Sequence, residues 1–485
     1  MATAEAKANG SYYTPSNVAR TLVRWVVRQP SDRLLDPSCG EGEFIALHPK
    51  SIGVDHDQRA ATAASHRARG SVVHVEDFFA YAERTNQRFD CAAGNPPFIR
   101  YQKFAGEVRR RALSFCQRHG ASFSALSASW APFLVAAASL LKPGGRLAFV
   151  VPAEIGHAPY AAPLLTFLSK SFGNVHFIAI RETVFTQLSQ DVWLLYADGY
   201  GDSTDHVALT TWDRFRPTPK PPRSTVHISF HDWQNWGCRI RPFLLPDVTR
   251  ELYQRASESS EVYRLGDAAR VGIGYVSGAN EFFHLRPSEA KFASIPKSFL
   301  VPTVRSGRML QMQAVTRATV SRWMKLDDPC LLLRLQRNDI LPQSVRHYLD
   351  SDAGRQARTS YKCSHRIPWY VVPDVILPDG FLSYMSGDGP SLVANSAHCA
   401  CTNSVHAVRM KRGRAFSQLQ AAWDHPLTRL STEIEGHPLG GGMLKLEPRE
   451  AARIALPRPT IRFAAIELQQ LHDARAILRQ WRHYE

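Results

Sequence analysis

The sequence is poor in several features that would point elsewhere. Its longest apolar stretch, Ala131 to Leu141, is well short of the ~20 residues a bilayer-spanning helix needs, so no membrane segment is expected. Residues Met1 to Asn9 hold no basic region leading into an apolar one, which argues against a secretory leader and for a cytoplasmic protein. Of the eight cysteines only Cys399 and Cys401 lie close together, and no C-x-x-C spacing occurs, which fits reduced thiols. Cys363, His365, His398, Cys399 and Cys401 could in principle supply zinc ligands, but without the usual spacing no metal is expected. No internal repeat and no long low-complexity tract is present, so a repeat architecture is not expected.

Positive charge, by contrast, is abundant: the formal net charge is +16 and the pI is near 9.6. Basic side chains that neutralise phosphates release condensed counterions, which makes nucleic acid the leading partner class, although a merely soluble basic protein would carry the same charge. With 485 residues, 44% of them hydrophobic, the chain can build two cores.

The first two hundred residues alternate β-branched apolar runs with helical patterns, the signature of a parallel sheet covered by helices. Strands are predicted at Arg33–Leu35, Ser51–Val54, Val72–Val75, Phe89–Ala92, Arg146–Val151, Val175–Ile180 and Val192–Tyr196, and a helix at Ser16–Val27 behind a Ser cap. The segment Arg216 to Arg223 holds four prolines, which lock φ and remove donors, so an extended linker is expected there. The predicted division is a catalytic domain over 1–215, a linker over 216–224 and a second domain over 225–485, where arginine and aromatic residues interleave.

Asp36-Pro37-Ser38-Cys39-Gly40-Glu41-Gly42 follows the first strand and opens toward a helix, where glycines let a ligand approach the backbone. A dinucleotide site would need G-x-G-x-x-G, but Ile45 stands at the third glycine position. The acid before the first glycine suits instead a cofactor with a cationic amino-acid moiety and no pyrophosphate. Asp55 ends the next strand, where its carboxylate can accept from both ribose hydroxyls. Asp77-Phe78 ends the third, with an acid for an adenine amino group and a ring to pack on the purine. Each acid alone reads as a solvated strand end or a helix cap. Together with Asn95 they recur about every 20 residues, one per βα unit, and converge on the carboxyl edge of one sheet.

Asn95-Pro96-Pro97-Phe98 follows the fourth strand. Two prolines can simply force an extended exit from a strand. A chemical reading accounts for all four residues. An exocyclic amine is a poor nucleophile because its lone pair is delocalised into the ring. Two acceptors aimed at its N–H bonds localise that pair: the Asn95 side-chain oxygen and the Pro96 carbonyl, held rigid by proline. The nitrogen is then set to attack a sulfonium methyl in line. Phe98 offers a stacking face to a base that must leave the duplex to be reached. No cysteine stands in this loop, which argues against methylation at a cytosine ring carbon.

These motifs, in this order, resemble those of the gamma class of DNA adenine-N6 methyltransferases, the TaqI-type modification methylases of type II restriction-modification systems. Their tetrapeptide is Asn-Pro-Pro followed by Tyr or Phe. Tyr12-Tyr13-Thr14-Pro15 resembles the family's N-terminal cofactor motif, and Leu141 to Pro152 its mid-domain turn and strand. The resemblance implies a Rossmann-like class I methyltransferase domain, with a mostly parallel seven-stranded sheet, and a C-terminal α+β target-recognition domain. It implies S-adenosyl-L-methionine as cofactor, held by Tyr13, Thr14, Pro15, Asp36, Pro37, Cys39, Gly40, Gly42, Asp55, Asp77, Phe78 and Asn95. Phe185 matches a second aromatic that sandwiches the flipped adenine with Phe98, and core packing explains it equally well. Val271 to Asn280, Gly440-Gly441-Gly442 and Leu456-Pro457 resemble patterns of the recognition domain. Expected partners are double-stranded DNA and a cognate restriction endonuclease acting on the same site, for a monomeric enzyme of a bacterial or archaeal nucleoid.

The same tetrapeptide serves enzymes that methylate RNA adenine or a protein glutamine, and cytosine N4 obeys the same amine logic, usually with Ser in place of Asn95. The large basic C-terminal half favours a duplex substrate. Pro246-Asp247 and Glu289-Ala290-Lys291 nominally offer nuclease fragments, and a DNA-binding protein with a degenerate methylase fold is a further alternative.

Overall fold

Short apolar runs that alternate with helices build one sheet in the N-terminal half. The computed structural model describes residues 14–99, 103–125, 127–185 and 191–484, and the chain divides into two units, 1–244 and 245–485. In the first unit β1 (Leu34–Asp36), β2 (Ser51–Asp55), β3 (Val72–Val75), β4 (Phe89–Gly94) and β5 (Leu141–Pro152) pair in parallel. β7 (Val192–Tyr200) runs antiparallel between β5 and β6 (Phe172–Ile180). β8 (His206–Trp212) and β9 (Val226–Ser229) complete the order β3-β2-β1-β4-β5-β7-β6-β8-β9. The expected seven-stranded sheet is present and carries two further strands.

The helices are α1 (Ser16–Val26), α2 (Gln58–Arg67), α3 (Phe78–Arg84), α4 (Gly106–Arg118), α5 (Trp130–Ser139) and α6 (Ala162–Ser171). In α1, Val18, Ala19, Leu22, Val23 and Val26 form one apolar face that joins a core with Leu34 of β1, Ala93 of β4 and Val150 of β5. Burial of each larger side chain contributes about 1.5–3 kcal/mol, which fixes α1 without help from its end. Ser16 is not its cap, as the sequence suggested; Pro15 precedes the first turn and no side chain caps it. Helix α5 is apolar nearly all round, with Trp130, Ala131, Leu134, Val135 and Ala138 buried, as a helix packed on several sides must be.

Two expectations about connections differ from the structure. Lys142-Pro143-Gly144-Gly145 was expected to turn before a strand, but β5 runs through it. Opposite β4 the register slips between Phe89 and Cys91, and Gly144 takes φ +73°, a bulge that only glycine tolerates well. The proline segment 216–224 does not divide the chain. It connects β8 to β9, which pair antiparallel in one sheet, and the division falls at Leu244/Leu245. Proline dictates an extended path but not what that path joins.

The second unit is α+β. Its five-stranded sheet runs in the order Ala269–Ile273, Val405–Met410, Gly380–Ser383, Leu392–Asn395, Ala314–Val315, around a core that includes Phe283, Leu332, Phe381 and Val393. Gly274 is required by close approach, since a Cβ there would lie 2.2 Å from the Cys401 carbonyl oxygen. Tyr275 donates or accepts at 2.8 Å to both His284 and Thr303 in the buried core. Arg482 and Glu433, both fully buried, pair at 2.7 Å, and Arg482 also donates to the Gly442 carbonyl. Asp247 pairs with Arg250 at its helix start, and Glu289 accepts from Arg286 N–H as a helix cap, so both suspected nuclease carboxylates serve local structure. Among the described residues no cluster of three or more His, Cys, Asp or Glu could hold a metal, and Cys363 and Cys401 direct their thiols to backbone carbonyls. No described helix is long and apolar enough to cross a membrane.

Candidate active site

Strand order reverses between β1 and β4, and open α/β sheets bind ligands outside the carboxyl ends of strands at such a switch point. The structure brings the predicted motifs together there. Asp36 ends β1 and is 1% exposed. Its Oδ1 accepts from Ser38 N–H at 3.1 Å, while Oδ2 is buried without a hydrogen-bond partner among the described residues. Burial pushes its pKa up to about 8, against the lowering effect of the Ser38 N–H and with the Asp55 charge adding to the rise. A buried carboxylate oxygen with unused capacity is what a ligand cation would satisfy.

The loop after Asp36 is wired to its neighbours. Gly40, at φ +50°, gives its N–H to Asp55 Oδ2 at 2.9 Å, and Asp57 N–H reaches Asp55 Oδ1 at 2.9 Å. Cys39 N–H bonds the Val54 carbonyl, and Gly42 N–H bonds the Cys39 carbonyl. Pro37, Cys39 and Gly42 are buried. Gly42 packs so closely on α2 that a Cβ would meet the Ala64 backbone at 3.0 Å. Each Asp55 oxygen accepts one backbone N–H, and His56 Nδ1 stands 3.5 Å from Oδ1.

The Asn95-Pro96-Pro97-Phe98 segment meets this loop directly. Ser38 Oγ donates to the Asn95 carbonyl at 3.2 Å, and a Cβ on Gly94 would lie 2.7 Å from Asp36 Oδ1. Asn95 leaves β4 half-buried with its side-chain oxygen inside, Pro96 is buried, and Pro97 and Phe98 are half-buried. Phe98 packs against the core cluster that contains Phe185.

Other predicted residues are placed differently. Asp77 caps α3 by accepting Ala80 N–H at 3.0 Å and faces Arg111 at 3.5 Å, so part of its capacity is spent locally. The ring of Phe78, expected to pack on a purine, is 3% exposed and stacks on Phe133 with centroids 5.5 Å apart. Motif order fixes which strand end carries Phe78, not which way its ring turns. Phe185 is 5% exposed in the same cluster as Phe98. Thr14 is buried, Pro15 starts α1, and Tyr12 and Tyr13 lie outside the described residues.

The sequence reading passed over Ser129, Trp130 and Glu154. Ser129 bonds the loop that carries the tetrapeptide. Trp130 Nε1–H donates to Glu154 Oε1 at 2.9 Å. Their only signal is position, at the start of the helix before β5 and just after β5.

Three family models match: "Type II methyltransferase M.Eco57I, C-terminal domain" over residues 239–484, "Eco57I restriction-modification methylase" over 52–185 and "N-6 DNA Methylase" over 1–65. The chain is 24% identical to the type II methyltransferase M.XamI of Xanthomonas campestris pv. amaranthicola, over 92% of this chain and 85% of that protein. It is 20% identical to M.AccI of Acinetobacter calcoaceticus, over 92% of this chain and 84% of that protein. Among solved structures, the type IIL restriction-modification enzyme MmeI in complex with DNA superposes with TM-score 0.57 at 12% identity, over 93% of this chain and 69% of that one, a likeness of fold.

Proposed function

This chain belongs to the type II DNA methyltransferases whose C-terminal domain is typified by M.Eco57I, and from that premise we propose how its residues methylate adenine N6. It is a site-specific, S-adenosylmethionine-dependent DNA methyltransferase. Bound beside Asp36, the cofactor supplies an electrophilic methyl on a sulfonium. The Asp36 carboxylate takes the cationic amino-acid end, Thr14, Pro15, Pro37, Cys39, Gly40 and Gly42 shape that end of the site, Asp55 accepts from the ribose hydroxyls and Asp77 from the adenine amino group.

Asn95 Oδ1 and the Pro96 carbonyl accept the two N–H bonds of the target amine and draw its lone pair out of the ring. Phe98 stacks the flipped base, with Phe185 of the same cluster as its candidate partner and Pro97 fixing the turn between acceptor and platform. Phe78 anchors Asp77 by burying its ring. The first unit is thus the catalytic domain and the second the reader of a duplex target; a monomer acting opposite a cognate endonuclease fits this division. The match of the second unit to a type II methyltransferase domain favours a DNA duplex over RNA or protein glutamine as substrate.

One observation carries the residue assignment: the Ser38–Asn95 hydrogen bond, which fastens the cofactor loop to the catalytic tetrapeptide. We expect Asn95→Ala to lower turnover by about 10²–10³-fold, as loss of one preorganised polar group does in acyl-transfer sites, with cofactor affinity largely kept. Labelled methyl transfer and cofactor titration measure both; near-normal turnover in this variant would refute the assignment.

A further inference from the structure

Ser129 is 0% exposed and stands immediately before α5. A serine in that place ordinarily turns its hydroxyl onto the free N–H groups of the helix start. This one does not: its backbone is helical (φ −64°, ψ −35°) and no side-chain cap bond is made. Its hydroxyl instead donates to the Pro97 carbonyl and accepts from Ile99 N–H at 3.0 Å, and its own N–H donates to the Ile99 carbonyl at 3.0 Å. Three hydrogen bonds from one buried residue therefore bracket Phe98 on both sides. We propose that Ser129 is the positioning residue of the catalytic loop, a clamp that sets which proline carbonyl faces the target amine and holds the Phe98 ring in place. This rests on the reading of residues 95 to 98 given above.

The consequence for chemistry lies in the carbonyls. The tetrapeptide has two adjacent proline carbonyls, at Pro96 and Pro97, and both prolines have fixed φ, so the loop can rotate only about the remaining torsions. The Ser129 hydroxyl fixes the direction of the Pro97 oxygen toward the start of α5, which leaves the Pro96 carbonyl as the backbone acceptor for the base. The clamp is referenced to the sheet: Trp130, the next residue and fully buried, donates to Glu154 just beyond β5, while the loop it holds leaves the adjacent strand β4. Ser129 thus ties the exit of β4 to the exit of β5 across the site.

The test uses the full-length protein and unmethylated duplex DNA, with labelled S-adenosylmethionine under single-turnover conditions at saturating DNA and cofactor. Ser129→Ala should lower the methyl-transfer rate about 10- to 100-fold, the scale at which a small misplacement of a reacting group is felt. Cofactor affinity and overall DNA affinity should change less than about twofold, because the two side-chain bonds lost go to Pro97 and Ile99 and not to the Asp36 loop. Ser129→Cys, with a weak donor and acceptor of similar size, should recover part of the rate. Asn95→Ala runs alongside. If Asn95→Ala is inactive and Ser129→Ala keeps the wild-type rate, or if Ser129→Ala loses cofactor and DNA binding in step with rate, the clamp is refuted. If Asn95→Ala itself stays active, the reading of the tetrapeptide fails instead.

Discussion

At the scale of single residues, the least ordinary group is Asp36. Burial holds its pKa at about 8, against an ordinary value of 3.8, so the folded protein keeps a proton there that the unfolded chain has released. Its contribution to stability is therefore present below about pH 4 and lost as pH rises through about 8. A ligand cation reverses the balance by favouring the carboxylate. Cofactor affinity should thus rise, by up to about tenfold per unit, between pH 6 and 7.5, below the range near 7.7–8.0 where an α-amino group itself titrates. Calorimetric titration in buffers of differing ionisation heat reads the proton released; Asp36→Asn should abolish the dependence, and a flat profile in the wild type would contradict the account. Asp36, Asp55, Asp77 and Asn95 were legible in the sequence because each ends a βα unit, and chain topology alone carries such residues to one edge. The ring orientation of Phe78 was not, since an aromatic beside a site and one beneath it share the same pattern. Ser129 belongs to no motif, and its role exists only through contacts about 30 residues away in sequence, beyond the reach of any local rule.

Elements decide how closely these residues approach one another. β1 and β4 are neighbours, and Gly94 at the end of β4 lets Asp36 lie against its backbone. A methyl group at Gly94 would sit 2.7 Å from Asp36 Oδ1 and 3.2 Å from the Phe149 ring. Gly94→Ala should therefore destabilise the protein by about 1–3 kcal/mol and weaken cofactor binding more than a β4 substitution remote from Asp36; denaturant unfolding together with cofactor titration checks both, and unchanged affinity would show that Asp36 is not held by β4. Strand positions were legible where apolar runs are short and bounded, as at Val72–Val75 and Val192, where the structure begins or ends its strands as expected. The boundaries failed where one residue type serves two ends. Gly144-Gly145 reads as a turn and forms a bulge inside β5, and the prolines of 216–224 read as a linker and form a connection within one sheet.

Across the whole molecule, charge and division matter more than any one contact. For a chain of net charge +16 that grips a duplex through phosphates, the logarithm of affinity should fall linearly with log salt concentration, and six to ten phosphate contacts would cost about 10³–10⁵ in affinity between 50 and 200 mM salt. Binding by fluorescence anisotropy at graded salt measures the slope, and a slope near zero would deny a phosphate-dominated interface. The fold of the second unit could not be read from its sequence, because its strands are short and its signature glycines serve packing: Gly274 yields to the Cys401 carbonyl and Gly442 hands its own carbonyl to buried Arg482. What remains central is the reaction itself. The most direct test is transfer of label from S-adenosylmethionine to unmethylated duplex DNA, followed by nucleoside analysis of the product. The account predicts N6-methyladenine as the labelled nucleoside; N4-methylcytosine, or label in RNA or protein with none in DNA, would contradict it.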